Sequence, residues 1–392
     1  MKTLKLSGTD SIEDSPFTRQ DVTTSLPDVP FSGINILVLV PNVNTGQAYH
    51  RLQISYINLA QNSPNDFRYV ECNQIDTATT EFLQQFQAVV FSCEISATGN
   101  NLWLIKRLKY LGIVVIMDLD DYWIFPPNHP NYIPYKRDNT GAKQLECLKN
   151  ADYVTTPNKR LAQMIMQERK DLKCEYVQNA IDPKQPQFQP KPAYNDFIGI
   201  GWVGGSYHYN NLNLLRKAFE MLHADHKVKY EFESYVLGFS DQDKGGIYES
   251  YAKIFTCNGK YMDNFNAIKG EDTNNYAFAY NLFDIALAPL QNSVFNSCKS
   301  ELKMIEAGFM QKAIITSNVE PYSLLATNKN SISITDGFAN SALAWKNAMK
   351  RLILNENLVN DLAMQLYEDV KVKYHIDTAN EIRAQLLKEL VK

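Results

Sequence analysis

Residues 182–195 read DPKQPQFQPKPAYN, with prolines at 183, 186, 190 and 192 and no apolar periodicity. Each proline removes an N–H donor, so the stretch suits neither a helix interior nor a central strand and reads as an extended linker. The same alternation runs on both sides of it. Upstream, apolar runs at 34–40 (INILVLV), 88–91 (AVVF) and 113–117 (IVVIM), with shorter strands at 67–70, 153–155 and 175–177, alternate with helical stretches at 47–61, 101–111, 143–150 and 159–167. Downstream, strands at 197–203 (FIGIGWV), 230–237, 284–288 (DIALA), 313–316 (AIIT) and 331–334 alternate with helices at 212–222, 274–282 and 301–310, and 339–392 is almost wholly helical. Strands that read as continuous apolar runs are covered on both faces, and strand–helix–strand succession builds right-handed parallel crossovers. The expected fold is α/β, with two doubly wound Rossmann-like domains that would face a central cleft at the carboxyl ends of their strands. The expected boundaries are a poorly ordered polar arm at 1–33, a first domain at 34–182, the linker at 183–196, a second domain at 197–372, and a helix at 373–392 crossing back to the first domain.

The composition narrows the function classes. The 392 residues hold 39 Lys and Arg against 43 Asp and Glu, a net charge of −4. Binding to nucleic acid or anionic lipid by bulk charge needs a basic field, which this balance does not supply. No apolar run approaches the ~18–20 residues of a membrane helix, and the polar N-terminus does not read as a signal peptide. The 6 cysteines are scattered without a C-x-x-C pair, which reads as reduced thiols in a cytoplasmic protein and not as a zinc site or a disulfide framework. A loose peripheral contact with a membrane is left open.

Four segments can carry chemistry. The first, 42–51 (NVNTGQAYHR), follows the first strand: Gly46 allows close backbone approach to a ligand, and Arg51, one turn into the helix, could reach a phosphate or form a salt bridge. In the second, Gly204, Gly205, Ser206 and His208 follow FIGIGWV in the same strand–turn–helix device, with Ser206 placed to cap the helix and to bond a phosphate. The third is 289–317 (PLQNSVFNSCKSELKMIEAGFMQKAIITS). A helix beginning near Ser300 would put Lys299, Lys303 and Glu306 on one face, with Lys299 beside the N-terminus as a diphosphate clamp and Glu306 on ribose hydroxyls. A solvated charged face satisfies the same spacing. The fourth, Asp118, Asp120 and Asp121 after IVVIM, could hold a metal, orient a sugar hydroxyl, act as a base, or serve local capping.

These residues resemble glycosyltransferases of the GT-B fold, of the family 4 type in the glycosyl transferases group 1 superfamily. The likeness spans about 34–390. IGWVGGSYHYNNL is similar to the family's "IGWxGSxxHxxDL". FDIALAPLQNSVFNSCKSELKMIEAG resembles "fDIglaPLxdxxFNxxKSxlKxlEy", and MDLDDYWIFPPNHPNY resembles "DxDDlxfxxPxxHP". VQNAID at 177–182 and DYVTTP at 152–157 resemble two further family segments. The resemblance implies a nucleotide-sugar donor held mainly by the C-terminal domain and an acceptor held by the N-terminal one. It implies Lys299 on the diphosphate, Glu306 on the ribose, Gly204, Gly205 and Ser206 against the phosphates, and Leu290 and Asn296 bordering the donor, with Ser300, Lys303 and His208 in the same site. Asp120 and Asp121 would take the acceptor or orienting role. Family members of this type usually retain anomeric configuration and need no metal. The chain departs where the family's first Glu of an E-x7-E pair falls at Cys298, and where a family glycine falls at Gln311.

The expected function is therefore transfer of a hexosyl or pentosyl group from a nucleoside-diphosphate sugar, which is a co-substrate and not a resident cofactor. Two other readings share the fold: a nucleotide-sugar epimerase, and a catalytically silent nucleotide-sugar-binding subunit. The acceptor stays open among a glycan, a lipid-linked sugar, a protein, a small molecule and modified DNA.

Overall fold

The computed structural model describes residues 2–4, 25–192, 197–239, 246–336 and 341–391. Among these the chain forms two compact units. The first contains 25–182, 298–300 and 374–391; the second contains the rest. Lys2–Leu4 is β1. The first unit carries β2 (Ile34–Leu39), β3 (Phe67–Cys72), β4 (Ala88–Phe91), β5 (Val114–Asp118), β6 (Tyr153–Thr156) and β7 (Lys173–Tyr176). The second carries β8 (Ile198–Trp202), β9 (Phe232–Phe239), β10 (Phe265–Lys269), β11 (Ile285–Ala288), β12 (Ala313–Ser317) and β13 (Ile332–Ile334).

The first sheet is wholly parallel, in the order β3-β2-β4-β5-β6-β7. Its inner strands β2, β4, β5 and β6 are largely buried on both sides, and alternate residues feed different cores. Ile36 and Val38 of β2, Ala88 and Val90 of β4 and Ile116 of β5 point to one face, where Leu386 and Leu387 of the last helix cover them. Leu37, Leu39, Val89, Phe91, Val115 and Met117 point to the other, beneath the helix Asn101–Tyr110. A continuous apolar run is thus what a strand between two helical layers requires.

The second sheet is also parallel, in the order β1-β10-β9-β8-β11-β12-β13. Ile200, Trp202, Phe232, Val236, Leu287 and Ile315 line the face covered by the helices Arg216–His223, Ile247–Phe255 and Ser341–Ile353. On the opposite face the Phe283 ring lies flat on Gly201, where a Cβ would come within 2.0 Å of it.

The outcome differs from the sequence reading in several places. Lys2–Leu4 pairs in parallel with β10, as an edge strand of the second sheet, where a poorly ordered arm was expected. The strand Phe265–Lys269 and the helix Ile247–Phe255 have no counterpart in the expected pattern; the first mixes Asn and Lys into a short run, and the second follows a stretch without apolar periodicity. The helix expected at 274–282 is a 3-10 helix, Tyr276–Leu282. The helix expected at 47–61 opens as a π-helix, Ala48–Gln53, before its α part, Ile54–Asn62. Gln311, at the position of a family glycine, does adopt a left-handed backbone (φ 52°) just beyond the helix Leu302–Phe309.

Candidate functional site

In each sheet one crevice is set by topology. The second unit starts at β8, winds outward to β9 and β10 on one side and to β11, β12 and β13 on the other, so the strand order reverses between β8 and β11. Open parallel sheets take ligands at the carboxyl ends of the strands at such a switch point. Residues 204–206 leave β8 there and 289–297 leave β11 there.

The two segments are tied together by Asn211, in the helix Tyr209–Leu212. Its Oδ1 accepts from the backbone N–H of Gln291 at 3.0 Å and from Nδ2 of Asn296 at 3.2 Å, and Asn296 also donates to the Gln291 carbonyl at 2.9 Å. Asn211 was not singled out from sequence, although it lies inside IGWVGGSYHYNNL. A buried amide early in a helix after a glycine turn was the available signal. Gly205 is exposed, and a Cβ there would meet nothing within 4 Å. Ser206 does not cap the next helix, because the cap position is His208, two residues further on, and it makes no side-chain capping bond. The His208 ring packs edge-on against Trp202 at 5.7 Å. Leu290 is buried, and its N–H donates to Ser317 Oγ at 2.9 Å, so the backbone and not the side chain borders the crevice.

Lys303 and Glu306 share one face of the helix Leu302–Phe309. The Lys303 amine bonds the Val203 carbonyl and lies 5.2 Å from the Trp202 ring centroid. It therefore stands at the carboxyl end of β8, against the glycine turn. A Cβ on Gly204 would sit 2.6 Å from Trp202 and 2.8 Å from this amine. Gly204→Ala is accordingly expected to push the Lys303 amine aside and to lower the melting temperature by roughly 2–4 °C, measured by differential scanning calorimetry, while leaving the circular dichroism spectrum intact.

Glu306 is buried, and both carboxylate oxygens accept phenol hydroxyls: Oε2 from Tyr280 at 2.8 Å and Oε1 from Tyr276. Burial raises its carboxyl pKa, opposed by Lys303 and the two phenols. A ribose reaching Glu306 must take the place of Tyr276, the less buried of the two.

Lys299 and Ser300 fall elsewhere. The helix starts at Leu302 with Glu301 as its cap residue, so Lys299 lies outside it and does not share a face with Lys303 and Glu306. Residues 298–300 belong to the first unit. There the Lys299 carbonyl accepts from Asn158 Nδ2 at 2.6 Å, Ser300 Oγ accepts from Asn179 Nδ2 at 2.7 Å, and Cys298 is fully buried in the core under Leu119 and Trp123. Cys298 therefore cannot present its thiol to a sugar.

The first unit's switch point lies between β2 and β4, since β3 sits outside β2 and β4 to β7 follow on the other side. Gly46 is exposed there, after β2. The next residue, Gln47, bonds Ser92 after β4, and Cys93 beside it holds a left-handed backbone (φ 62°), a conformation that is costly for a residue with a side chain and that collects at functional sites.

Arg51 is not at this surface. It is fully buried, with Nε 2.9 Å from Asp118 Oδ1, Nη2 2.7 Å from Oδ2, and Nη1 2.6 Å from the Val177 carbonyl. Asp118 Oδ2 also accepts from Thr155 Oγ1 at 2.7 Å. This removes Arg51 as a phosphate ligand: the first turns of its helix aim it into the sheet, and the guanidinium satisfies a buried carboxylate in bidentate fashion. The Lys299 amine pairs with Asp121 Oδ1 at 2.9 Å. Two of the three carboxylates thus face protein cations instead of converging on one point, and among the described residues no group of three His, Cys, Asp or Glu is arranged to hold a metal ion.

Asp120 is the remaining carboxylate. Burial, together with the charges of Asp121 and Asp118, pushes its pKa up to about 8, against the pull of Lys299 and Arg51. The folded state then binds a proton that the unfolded chain has released, so this group's contribution falls as pH rises from about 4 through about 8. Asp120→Asn should raise the melting temperature relative to wild type by roughly 2–4 °C at pH 9 and by nothing measurable at pH 4. Differential scanning calorimetry at the two pH values checks this.

No protein-family model and no curated protein matches the sequence. Solved structures do match the fold. A glycosyltransferase from Rickettsia africae superposes with a TM-score of 0.62 at 14% identity, over 92% of this chain and 100% of that one. Sucrose-phosphate synthase from Thermosynechococcus elongatus gives 0.63 at 14% identity, over 91% and 99%. HepE from Anabaena in complex with UDP-glucose gives 0.64 at 12% identity, over 91% and 100%. The fold is therefore the GT-B type, built of two doubly wound Rossmann-like domains. No helix among the described residues is long and apolar enough to cross a membrane.

Proposed function

We propose that the chain is a glycosyltransferase that moves a hexosyl or pentosyl group from a nucleoside-diphosphate sugar to an acceptor, with retention of configuration and without a metal. One observation carries the reading. At the switch point of the second sheet, the Gly204–Ser206 turn, the Lys303 amine and the Asn211–Asn296 bridge converge at the carboxyl ends of β8 and β11. Backbone N–H groups of a glycine turn and one ammonium suit a diphosphate.

In the reaction the bond between the sugar's anomeric carbon and the diphosphate oxygen breaks, and a bond from that carbon to an acceptor hydroxyl oxygen forms. Negative charge gathers on the departing diphosphate, where Lys303 and the turn stabilise it. The acceptor's proton leaves toward the departing diphosphate, and Asp120 and Asp121 orient the hydroxyl. Because Lys303 and the N–H groups of the turn answer the charge, magnesium is not required in this scheme.

The test is a thermal-shift series with UDP, GDP, ADP, TDP and CMP, with and without magnesium, followed by a transfer assay with the sugar form of the nucleotide that binds. A rise of several degrees with one nucleoside diphosphate, unaffected by magnesium, is the expected result. Absence of a shift with all of them at millimolar concentration overturns the reading. Conversion of the nucleotide sugar without any acceptor replaces it with epimerisation.

A further inference from the structure

The connection from β5 to β6 spans residues 119–152, far more than a crossover needs, and its first half is dense in aromatic and proline residues: Tyr122, Trp123, Phe125, Tyr132 and Tyr135, with prolines at 126, 127, 130 and 134. It folds around a cavity of about 400 Å³, open to solvent, within the first unit. Trp123, Phe125, Tyr132 and Tyr135 form its aromatic walls.

These walls are fixed before any ligand arrives. The Phe125 and Tyr135 rings stack at 3.9 Å with an interplanar angle of 9°. The Tyr135 hydroxyl donates to Gln144 Oε1 at 2.7 Å and lies 3.0 Å from the Trp123 carbonyl. Gly141 lets the chain close in, since a Cβ there would stand 2.4 Å from that carbonyl. Four prolines limit the freedom of the connecting chain, so little order remains to be imposed on binding.

The rest of the lining selects the ligand. Lys136 and Glu168 bring one charge of each sign, and Asn139 adds an amide. No single-sign field is present to hold a phosphate, a nucleic acid or another strongly charged group. The open mouth and polar rim do not enclose an alkyl chain. Aromatic faces with a few hydrogen-bonding groups at their edge match a pyranose, which has apolar C–H faces and hydroxyls around its rim. The cavity also begins two residues after Asp121, the carboxylate that pairs with Lys299.

We infer that this cavity seats an uncharged saccharide, and that this saccharide is the acceptor; the second half of the inference rests on the transferase reading above. The acceptor class is then a neutral glycan.

The test uses the full-length chain, fluorescently labelled, on an array of immobilised neutral and charged glycans, with the strongest neutral binder titrated as a free oligosaccharide. Tyr132→Ala and Glu168→Gln alter partly exposed positions and are checked for folding by circular dichroism. Saturable binding of a neutral glycan, weakened about tenfold by Tyr132→Ala and measurably by Glu168→Gln, is expected. An array without a neutral binder overturns the inference, and so does a binder whose affinity both folded variants leave unchanged. Titrations with UDP, GDP, ADP and TDP on the same wild-type sample separate the two readings. Nucleotide binding without glycan binding removes the seat and leaves the transferase. Glycan binding with no nucleoside diphosphate bound keeps the seat and removes its role as acceptor site.

Discussion

Asp118→Ala is expected to destabilise the first unit by about 3–5 kcal/mol, enough to leave it largely unfolded at 37 °C. The carboxylate is 1% exposed and its partner Arg51 is fully buried. Arg383, on the last helix, is buried as well, with Nη1 on Asn380 Oδ1 at 3.0 Å and Nη2 without a hydrogen-bond partner. Burial, and then the charge of Arg51, pull its pKa down to about 10, opposed by Tyr56 and more weakly by Asp118. Removing the carboxylate therefore strands Arg51 and leaves two buried guanidiniums with less to oppose them. The double variant Arg51→Met with Asp118→Leu should recover part of the loss, because it leaves neither charge of the pair unpaired, although the Thr155 hydroxyl and the Val177 carbonyl lose a partner. Urea unfolding monitored by tryptophan fluorescence checks both; a single variant as stable as wild type would show that water reaches the pair.

The second large effect is on chemistry. If the proposed transfer reaction holds, Lys303→Ala should lower kcat/KM about 10²–10³-fold, mostly in kcat, because the amine would then meet charge that grows on the departing diphosphate. Lys303→Arg should recover little, since the amine is fitted between the Val203 carbonyl, the Trp202 ring and Gly204 and a planar fork is larger. Steady-state kinetics with a saturating acceptor decide this. A Lys303→Ala enzyme within threefold of wild type would move the diphosphate away from the β8 turn.

The fold was legible because burial on both faces leaves a mark that no neighbour can hide: from Ile36 to Leu39 every β2 residue is apolar whichever way it points. Half of the candidate site was legible for a local reason. Lys303 and Glu306 stand three apart on one helix, and helical spacing alone puts them on one face. The other half was not local. Arg51 looks like a residue at the mouth of a crevice until Asp118, 67 positions later, is placed opposite it. Lys299 looks like part of the helix until Glu301 is seen to begin it. Asn211 matters only because Gln291 and Asn296 arrive 80 and 85 positions further on. Sequence periodicity reports the faces of an element; it does not report which other element supplies the partner.

The last helix, Ile376–Leu390, lays Leu386 and Leu387 over Ile36 and Val38, and its Asn380 donates to the Ser55 carbonyl and to Asn58 Oδ1, each at 2.9 Å. Synthesis runs in one direction, and the ribosome makes the remaining strands of that sheet some 200 residues before this helix. At roughly 5–20 residues per second the gap is ~10–40 s. During that interval this face of the first sheet has the helical segment 48–62 over it but lacks the cover of the last helix. The unit translated first is thus the unit that must wait, and a chain truncated at residue 375 would keep part of that apolar face open, a target for chaperones and for aggregation.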